Sequence, residues 1–190
     1  MIYIKDEEFI RGNCPMTKEE VRIVSIAKLA IEEDYNLLDI GAGTGSVSVQ
    51  MSRAVTKGKV ISIEKDEEAL ELLHKNKEKF NAENMKIISG EALEVEALVE
   101  GQYDGIFIGG SGGNLQDIIK VYGNKLKPNR NMVLNFITIG NLYTAINCLR
   151  ELEYDVECTQ LAVSRAKGKS LMLTANNPIF IVTATKKLID

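Results

Sequence analysis

The segment Leu37-Leu38-Asp39-Ile40-Gly41-Ala42-Gly43-Thr44-Gly45 passes from an apolar strand through an acid into a turn with glycine at three alternate positions. Ser46-Val47-Ser48-Val49 then continues as a helix. A strand feeding a helix through so short a turn is the first half of a βαβ unit, since parallel strands need a crossover and that crossover is usually helical. The pattern repeats downstream. Apolar runs predict strands at residues 36–40, 60–64, 86–89, 105–108 and 132–137. Between them, residues 66–80 form the clearest helix: Asp66 caps it, Glu67 and Glu68 occupy its first turn, and Ala69, Leu70, Leu73 and Phe80 mark one face. Helices at 114–125 and 141–151 follow. This alternation predicts an α/β fold with a mainly parallel sheet covered on both faces. Residues 156–164 and 178–185 are strand-like with no helical pattern between them, so the sheet is expected to finish with an antiparallel hairpin.

The turn also predicts a ligand. Glycine permits positive φ and close approach to the backbone, and the free N–H groups of the next helix face the same crevice. A dinucleotide fingerprint is G-x-G-x-x-G; counted from Gly41, its third glycine falls on Ser46, and Gly45 comes one residue early. Asp39 lies two residues before the first glycine, unfavourable beside a pyrophosphate and favourable beside an ammonium or sulfonium. That polarity suits S-adenosylmethionine. Glu64 ends the next strand about 20 residues beyond the glycines, where ribose hydroxyls are expected, and Ile87-Ile88-Ser89-Gly90-Glu91-Ala92 supplies a small-residue loop to lie over an adenine. Two plainer readings compete: a glycine turn after a strand is often only a turn, and Asp39 would also serve as a cap for the following helix.

A formal net charge of -4 and a pI near 5.3 give no overall attraction to nucleic acid or to an anionic membrane. Cys14, Cys148 and Cys158 are scattered without metal-ligand spacing, so neither a disulfide framework nor a zinc site is expected, and a reducing cytoplasm is the simplest setting. The N-terminus is acidic where a signal peptide would be basic, and no apolar run approaches the ~20 residues of a membrane span. At 190 residues with 45% hydrophobic content, one domain is expected over 1–190: an N-terminal lid segment and helix (1–35), a cofactor-binding core (36–154) and a C-terminal hairpin (155–190). Thr17-Lys18-Glu19-Glu20 has the form of a capping box opening a helix at 21–31, and residues 11–16 before it are too irregular for a helix and suit a lid. His74, the sole histidine, belongs on the surface, and Met51, Met132 and Met172 suit packing.

Several segments together resemble one family. They are Arg11-Gly12 with Pro15-Met16-Thr17-Lys18-Glu19-Glu20, residues 39–48, Phe107-Ile108-Gly109-Gly110-Ser111-Gly112-Gly113-Asn114, Val163-Ser164-Arg165 and Asn177-Pro178-Ile179-Phe180. In these the chain resembles the CbiT family, the decarboxylating cobalt-precorrin-6B C-15 methyltransferases of cobalamin biosynthesis. The glycine turn is common to many methyltransferases; the Gly-Gly-Ser-Gly-Gly-Asn segment is far more telling. The resemblance implies a class I S-adenosylmethionine-dependent methyltransferase (Rossmann-like) fold, with a seven-stranded mostly parallel sheet. It implies methylation of one meso carbon of a corrinoid precursor with loss of carbon dioxide from an acetate side chain. It places cofactor contacts on Thr17, on Gly41, Ala42, Gly43, Thr44 and Gly45, on Glu64 and on Ala92, to which the loop reading adds Asp39 and Glu91. It also implies homo-oligomers, with tetramers expected.

Such a substrate carries many carboxylates. Cationic and N–H-rich groups are therefore expected around it: Arg11 in the lid segment, a backbone anion nest at Gly110, Ser111 and Gly112 before Asn114, and Arg165 for a bidentate carboxylate contact. In extended chain, Lys167 and Lys169 would point the same way as Arg165. Two other functions compete with this one. A transfer-RNA adenine N1-methyltransferase shares the fold, but would need a basic RNA-facing surface or an added domain. A non-catalytic S-adenosylmethionine-binding subunit would not need the lid-like segment or the second glycine loop.

Overall fold

In a computed structural model, residues 3–188 are described. Seven strands form one sheet in the order β3-β2-β1-β4-β5-β9-β6. These are β1 (Asn36–Ile40), β2 (Lys59–Glu64), β3 (Met85–Ser89), β4 (Tyr103–Ile108), β5 (Leu126–Phe136), β6 (Asp155–Leu161) and β9 (Ile179–Thr185). The pairs among β1 to β5 are parallel, whereas β9 runs antiparallel between β5 and β6. The expected mostly parallel seven-stranded sheet with an antiparallel end is therefore present.

Alternation along each strand divides the core into two layers. Leu38, Ile40, Ile106, Ile108, Met132 and Leu134 point to one face, under α4 (Leu115–Lys125) and α5 (Ile139–Glu151). Leu37, Phe107, Val133 and Ile181 point to the other, under α1 (Glu19–Lys28), α2 (Ser46–Ala54) and α3 (Glu67–Lys79). The helices are amphipathic enough to cover the sheet but not to stand alone, so tertiary burial holds them. The carboxyl ends of β1, β2, β3 and β4 meet at one edge, where the connecting loops lie.

Five expectations change. The Thr17 capping box does not form: α1 starts at Glu19 with Lys18 as N-cap and no side-chain cap bond, and Glu20 is drawn off to Arg165. The helix also stops early, at Lys28, with Ala30 at φ 51. The tail carries a second, two-stranded sheet, β7 (Ser164–Lys167) paired with β8 (Met172–Ala175), between β6 and β9. Its turn at Gly168 has φ 78, which breaks the extended alternation expected to bring Lys169 beside Arg165; the Lys167 side chain lies outside the described residues. Met172 is 72% exposed on this ribbon, not packed, whereas Met51 and Met132 are fully buried.

Candidate active site

The glycine turn winds against β2. The N–H groups of Gly41 and Ala42 both donate to the Ile63 carbonyl at 3.0 Å, and Gly45 N–H returns to the Ala42 carbonyl at 2.9 Å. Gly41 has φ 70, and a Cβ there would lie 2.6 Å from the Gly110 carbonyl oxygen. The first and fourth strand loops therefore touch through backbone alone, a contact reinforced by Gly109 N–H donating to the Ile40 carbonyl at 2.9 Å. Gly41 serves this loop-to-loop contact as much as any ligand.

Glu64 organises the turn. One carboxylate oxygen accepts from Gly43 N–H at 2.7 Å; the other accepts from the N–H groups of Lys65 and Asp66 at 2.8 and 2.9 Å. A carboxylate offers about four acceptor positions, so one remains toward the cavity it lines. Nearby, Glu91 accepts from Leu93 N–H at 2.8 Å, and the Asn114 side-chain amide approaches it at 3.5 Å. The Ala92 carbonyl accepts from the buried Tyr122 hydroxyl at 2.6 Å, and burial pushes that phenol's pKa up.

Asp39 does not reach this cavity. It shares a strand face with Leu37, so it points into the layer beneath α2, fully buried, and accepts from the Ser48 hydroxyl. Its expected place beside a cofactor cation is thus corrected to one that pins α2, near the helix-capping alternative. Burial raises its pKa from 3.8 to about 7, with Glu64 adding to the rise and Ser48 opposing it.

Two cavities open at this edge and share Pro15, Gly41, Gly43 and Gly109 as a common wall. The first, about 470 Å³, is acidic: Glu64, Asp66, Glu68 and Glu91 line it, with Lys65 the one cation there among the described residues. Ala92, Gly110, Ser111 and Gly112 line it as well, so the second glycine loop, expected on the substrate side, borders the same cavity as Glu64. The second, about 460 Å³, is mostly apolar, with Val21, Val47, Phe107, Phe136, Ile137 and Ile179 in its wall. Thr17, Ala42 and Thr44 line it too. Thr44 is 1% exposed and its hydroxyl has no hydrogen-bond partner, while Gly45 caps α2 without any side-chain bond. That corner, a helix N-terminus with a spare hydroxyl, suits a carboxylate.

The segment before α1 roofs both cavities. Asn76 of α3, fully buried, accepts from Ile10 N–H at 2.8 Å and donates to the carbonyls of Ile10 and Thr44, each at 2.9 Å. Asn13 N–H donates to Glu68 at 3.1 Å. Arg22, also fully buried, donates to the carbonyls of Thr17 and Ile4 and to Asp6. Asn76, Tyr122 and Arg22 escaped sequence reasoning; a polar residue at a helical core position was the only signal they gave.

Arg11 and Arg165 come together, but elsewhere. Both line a charged hollow with Asp6, Glu19 and Glu20. Arg165 is already engaged: its fork grips both oxygens of Glu20, with Asp6 at 3.7 Å and Glu19 at 4.0 Å. The expected bidentate contact of Arg165 to a substrate carboxylate is made instead to this chain's own Glu20. His74 is exposed, as expected. Among the described residues no cluster of His, Cys, Asp and Glu suits a metal ion, the three cysteines are free, and no helix is long and apolar enough to cross a membrane.

Comparison with known proteins bears on this arrangement. Residues 8–186 match the family model described as a precorrin methyltransferase domain. A Sulfolobus acidocaldarius protein named probable cobalt-precorrin-6B C(15)-methyltransferase (decarboxylating) is 41% identical, over 97% of each chain. The crystal structure of precorrin-6y C5,15-methyltransferase from Geobacter metallireducens superposes with a TM-score of 0.94 at 35% identity, covering 98% of this chain and 97% of that one. A SAM-dependent O-methyltransferase from Thermotoga maritima shares the fold, with a TM-score of 0.77 at 19% identity over 95% of this chain and 69% of that one.

Proposed function

Because the chain belongs to the precorrin methyltransferase family, we propose that it methylates C-15 of cobalt-precorrin-6B and removes carbon dioxide from the C-12 acetate, as a step of cobalamin biosynthesis. The observation that carries this is the pair of cavities sharing a glycine wall, one acidic and one apolar. The acidic cavity suits a ligand with hydroxyl donors and a cationic centre, and repels a pyrophosphate or a polycarboxylate. The apolar cavity suits one edge of a large conjugated ring.

S-adenosylmethionine fits the first cavity, and it supplies an electrophilic methyl group when bound. Glu64 would offer its remaining acceptor position to ribose hydroxyls and Glu91 and Ala92 would flank the base, while the amino-acid end would pass the shared glycine wall to Thr17 and Thr44 beside the start of α2, at the margin of the apolar cavity. Methyl transfer to carbon asks little acid–base help, because the leaving thioether is neutral. The residues' task is alignment and exclusion of water, and well-oriented reactants gain about 7–11 kcal/mol. The segment roofing both cavities, tied down through Asn76 and Arg22, provides that enclosure.

The three free, scattered cysteines support a reducing cytoplasmic setting. The exposed Leu171, Met172 and Leu173 of the β7–β8 ribbon support self-association. The test is incubation with labelled S-adenosylmethionine and either cobalt-precorrin-6B or bulk transfer RNA. The corrinoid is expected to gain one methyl and lose one CO2 by mass. Label entering RNA alone, or entering neither despite tight cofactor binding, would refute the assignment.

A further inference from the structure

Decarboxylation of the acetate leaves an electron pair that must end in a new C–H bond, so the reaction needs an acid beside the ring edge. We infer that Lys18 is that acid. The inference rests on the substrate reading above and adds to it a residue and a role.

Among the described residues, Lys18 is the one ionisable side chain lining the apolar cavity. The other polar groups in that wall are hydroxyls and amides, such as Thr17, Ser46 and Asn135, which do not give up a proton near neutral pH. The neighbouring cations are committed: Arg165 to Glu20, Glu19 and Asp6, and Arg22 to Asp6 and two carbonyls. Arg11 lines the charged hollow and not this cavity. The Lys18 ammonium makes no hydrogen bond or ion pair with any described residue, although it stands on the border between the apolar cavity and that hollow. As N-cap of α1 it has a backbone fixed in extended geometry, φ -67 and ψ 155, at the point where the roofing segment enters the helix. A charged group held at the lip of an apolar cavity, with no partner among the described residues, is poised for a partner in the ligand.

In the step assigned to it, the bond between the acetate CH2 and its carboxylate breaks, CO2 departs, and the electron pair passes into the conjugated imine system of the ring. The Lys18 ammonium then delivers a proton to the former CH2 carbon. The pair returns to form the C–H bond of a methyl group, and the neutral amine recovers its proton from water. Apolar walls favour the first half, since they solvate a carboxylate poorly and CO2 well.

The test compares wild type, Lys18→Arg and Lys18→Ala on cobalt-precorrin-6B with S-adenosylmethionine. Mass spectrometry divides the methylated product into molecules that have kept or lost CO2. Arginine keeps the charge but does not release its proton, so both variants are expected to lower the decarboxylated-to-carboxylated ratio by on the order of 100-fold, with ethylamine restoring it in Lys18→Ala. A wild-type ratio in Lys18→Arg with a raised KM in Lys18→Ala would make Lys18 a charge contact only and overturn the inference. So would equal loss of both reactions in both variants, the mark of a structural role. A wild type that methylates no corrinoid at all would instead overturn the substrate reading and this assignment with it.

Discussion

Asp39 is a carboxyl whose burial opposes its charge, which gives the fold a specific dependence on pH. Its folded pKa, about 7, lies above the unfolded value of 3.8, so between these values the native state binds more protons than the unfolded state. Stability from this group is therefore complete below about pH 4 and is lost as pH rises through 7. The shift corresponds to about 4 kcal/mol at most. Asp39→Asn can still accept from Ser48 but cannot ionise. Urea unfolding is expected to show its stability rising relative to wild type from about pH 4 to pH 8. A pH-independent difference would mean that Asp39 ionises freely. Glu64 accepts from three backbone amides, so the residue shapes the turn as well as facing the cavity. Glu64→Ala should weaken S-adenosylmethionine binding by about ten- to a hundredfold in calorimetric titration, since each hydrogen bond to a charged group is worth roughly 1.5–3 kcal/mol. At this scale the sequence distinguished Glu64 from its surroundings but not the direction of Asp39, because strand parity becomes decisive only once it is known which helix covers which face.

Strands and helices of the core were legible because each repeats a simple signal: apolar runs ending in small or acidic residues, and an amphipathic helix between them. β1, α3 and the antiparallel end follow that rule. The β7–β8 ribbon did not, since Leu171, Met172 and Leu173 are apolar yet stay exposed among the described residues. The α1 start was misplaced because one half of a good local capping pair is taken by a tertiary partner: Glu20 binds Arg165, and Thr17 is left lining the apolar cavity. The roof over the cavities was visible only as an irregular stretch; its anchor, Asn76, lies 66 residues away from Ile10. Asn76→Ala removes three hydrogen bonds, one from the buried Thr44 carbonyl and two from the half-buried Ile10 backbone, and a buried group left without its partner costs about 1–3 kcal/mol. The substitution is expected to destabilise the protein by about 2–4 kcal/mol and to abolish hydrogen-exchange protection at the Ile10 amide. Retained protection there would show that Arg22, through its bonds to the Ile4 and Thr17 carbonyls, holds the segment without Asn76.

Charge acts on the molecule as a whole. The net charge is -4, the cofactor cavity is rimmed by Glu64, Asp66, Glu68 and Glu91, and the arginines nearest the apolar cavity are neutralised within the chain. A polycarboxylate substrate therefore approaches against the protein's average field, drawn in at the apolar cavity by Lys18. Long-range repulsion is screened by salt, whereas a short contact inside a cavity is screened much less: the Debye length falls from about 30 Å at 0.01 M to about 8 Å at 0.15 M. Raising the salt across that range should speed encounter and lower KM for the corrinoid, with kcat little changed. S-adenosylmethionine, which carries a positive charge, should respond in the opposite sense, its affinity falling over the same range. Initial rates at several salt concentrations, with each substrate varied in turn, separate the two effects. A corrinoid KM that rises with salt would mean that a local basic field at the cavity mouth outweighs the net charge, and that more cations than Lys18 guide the substrate.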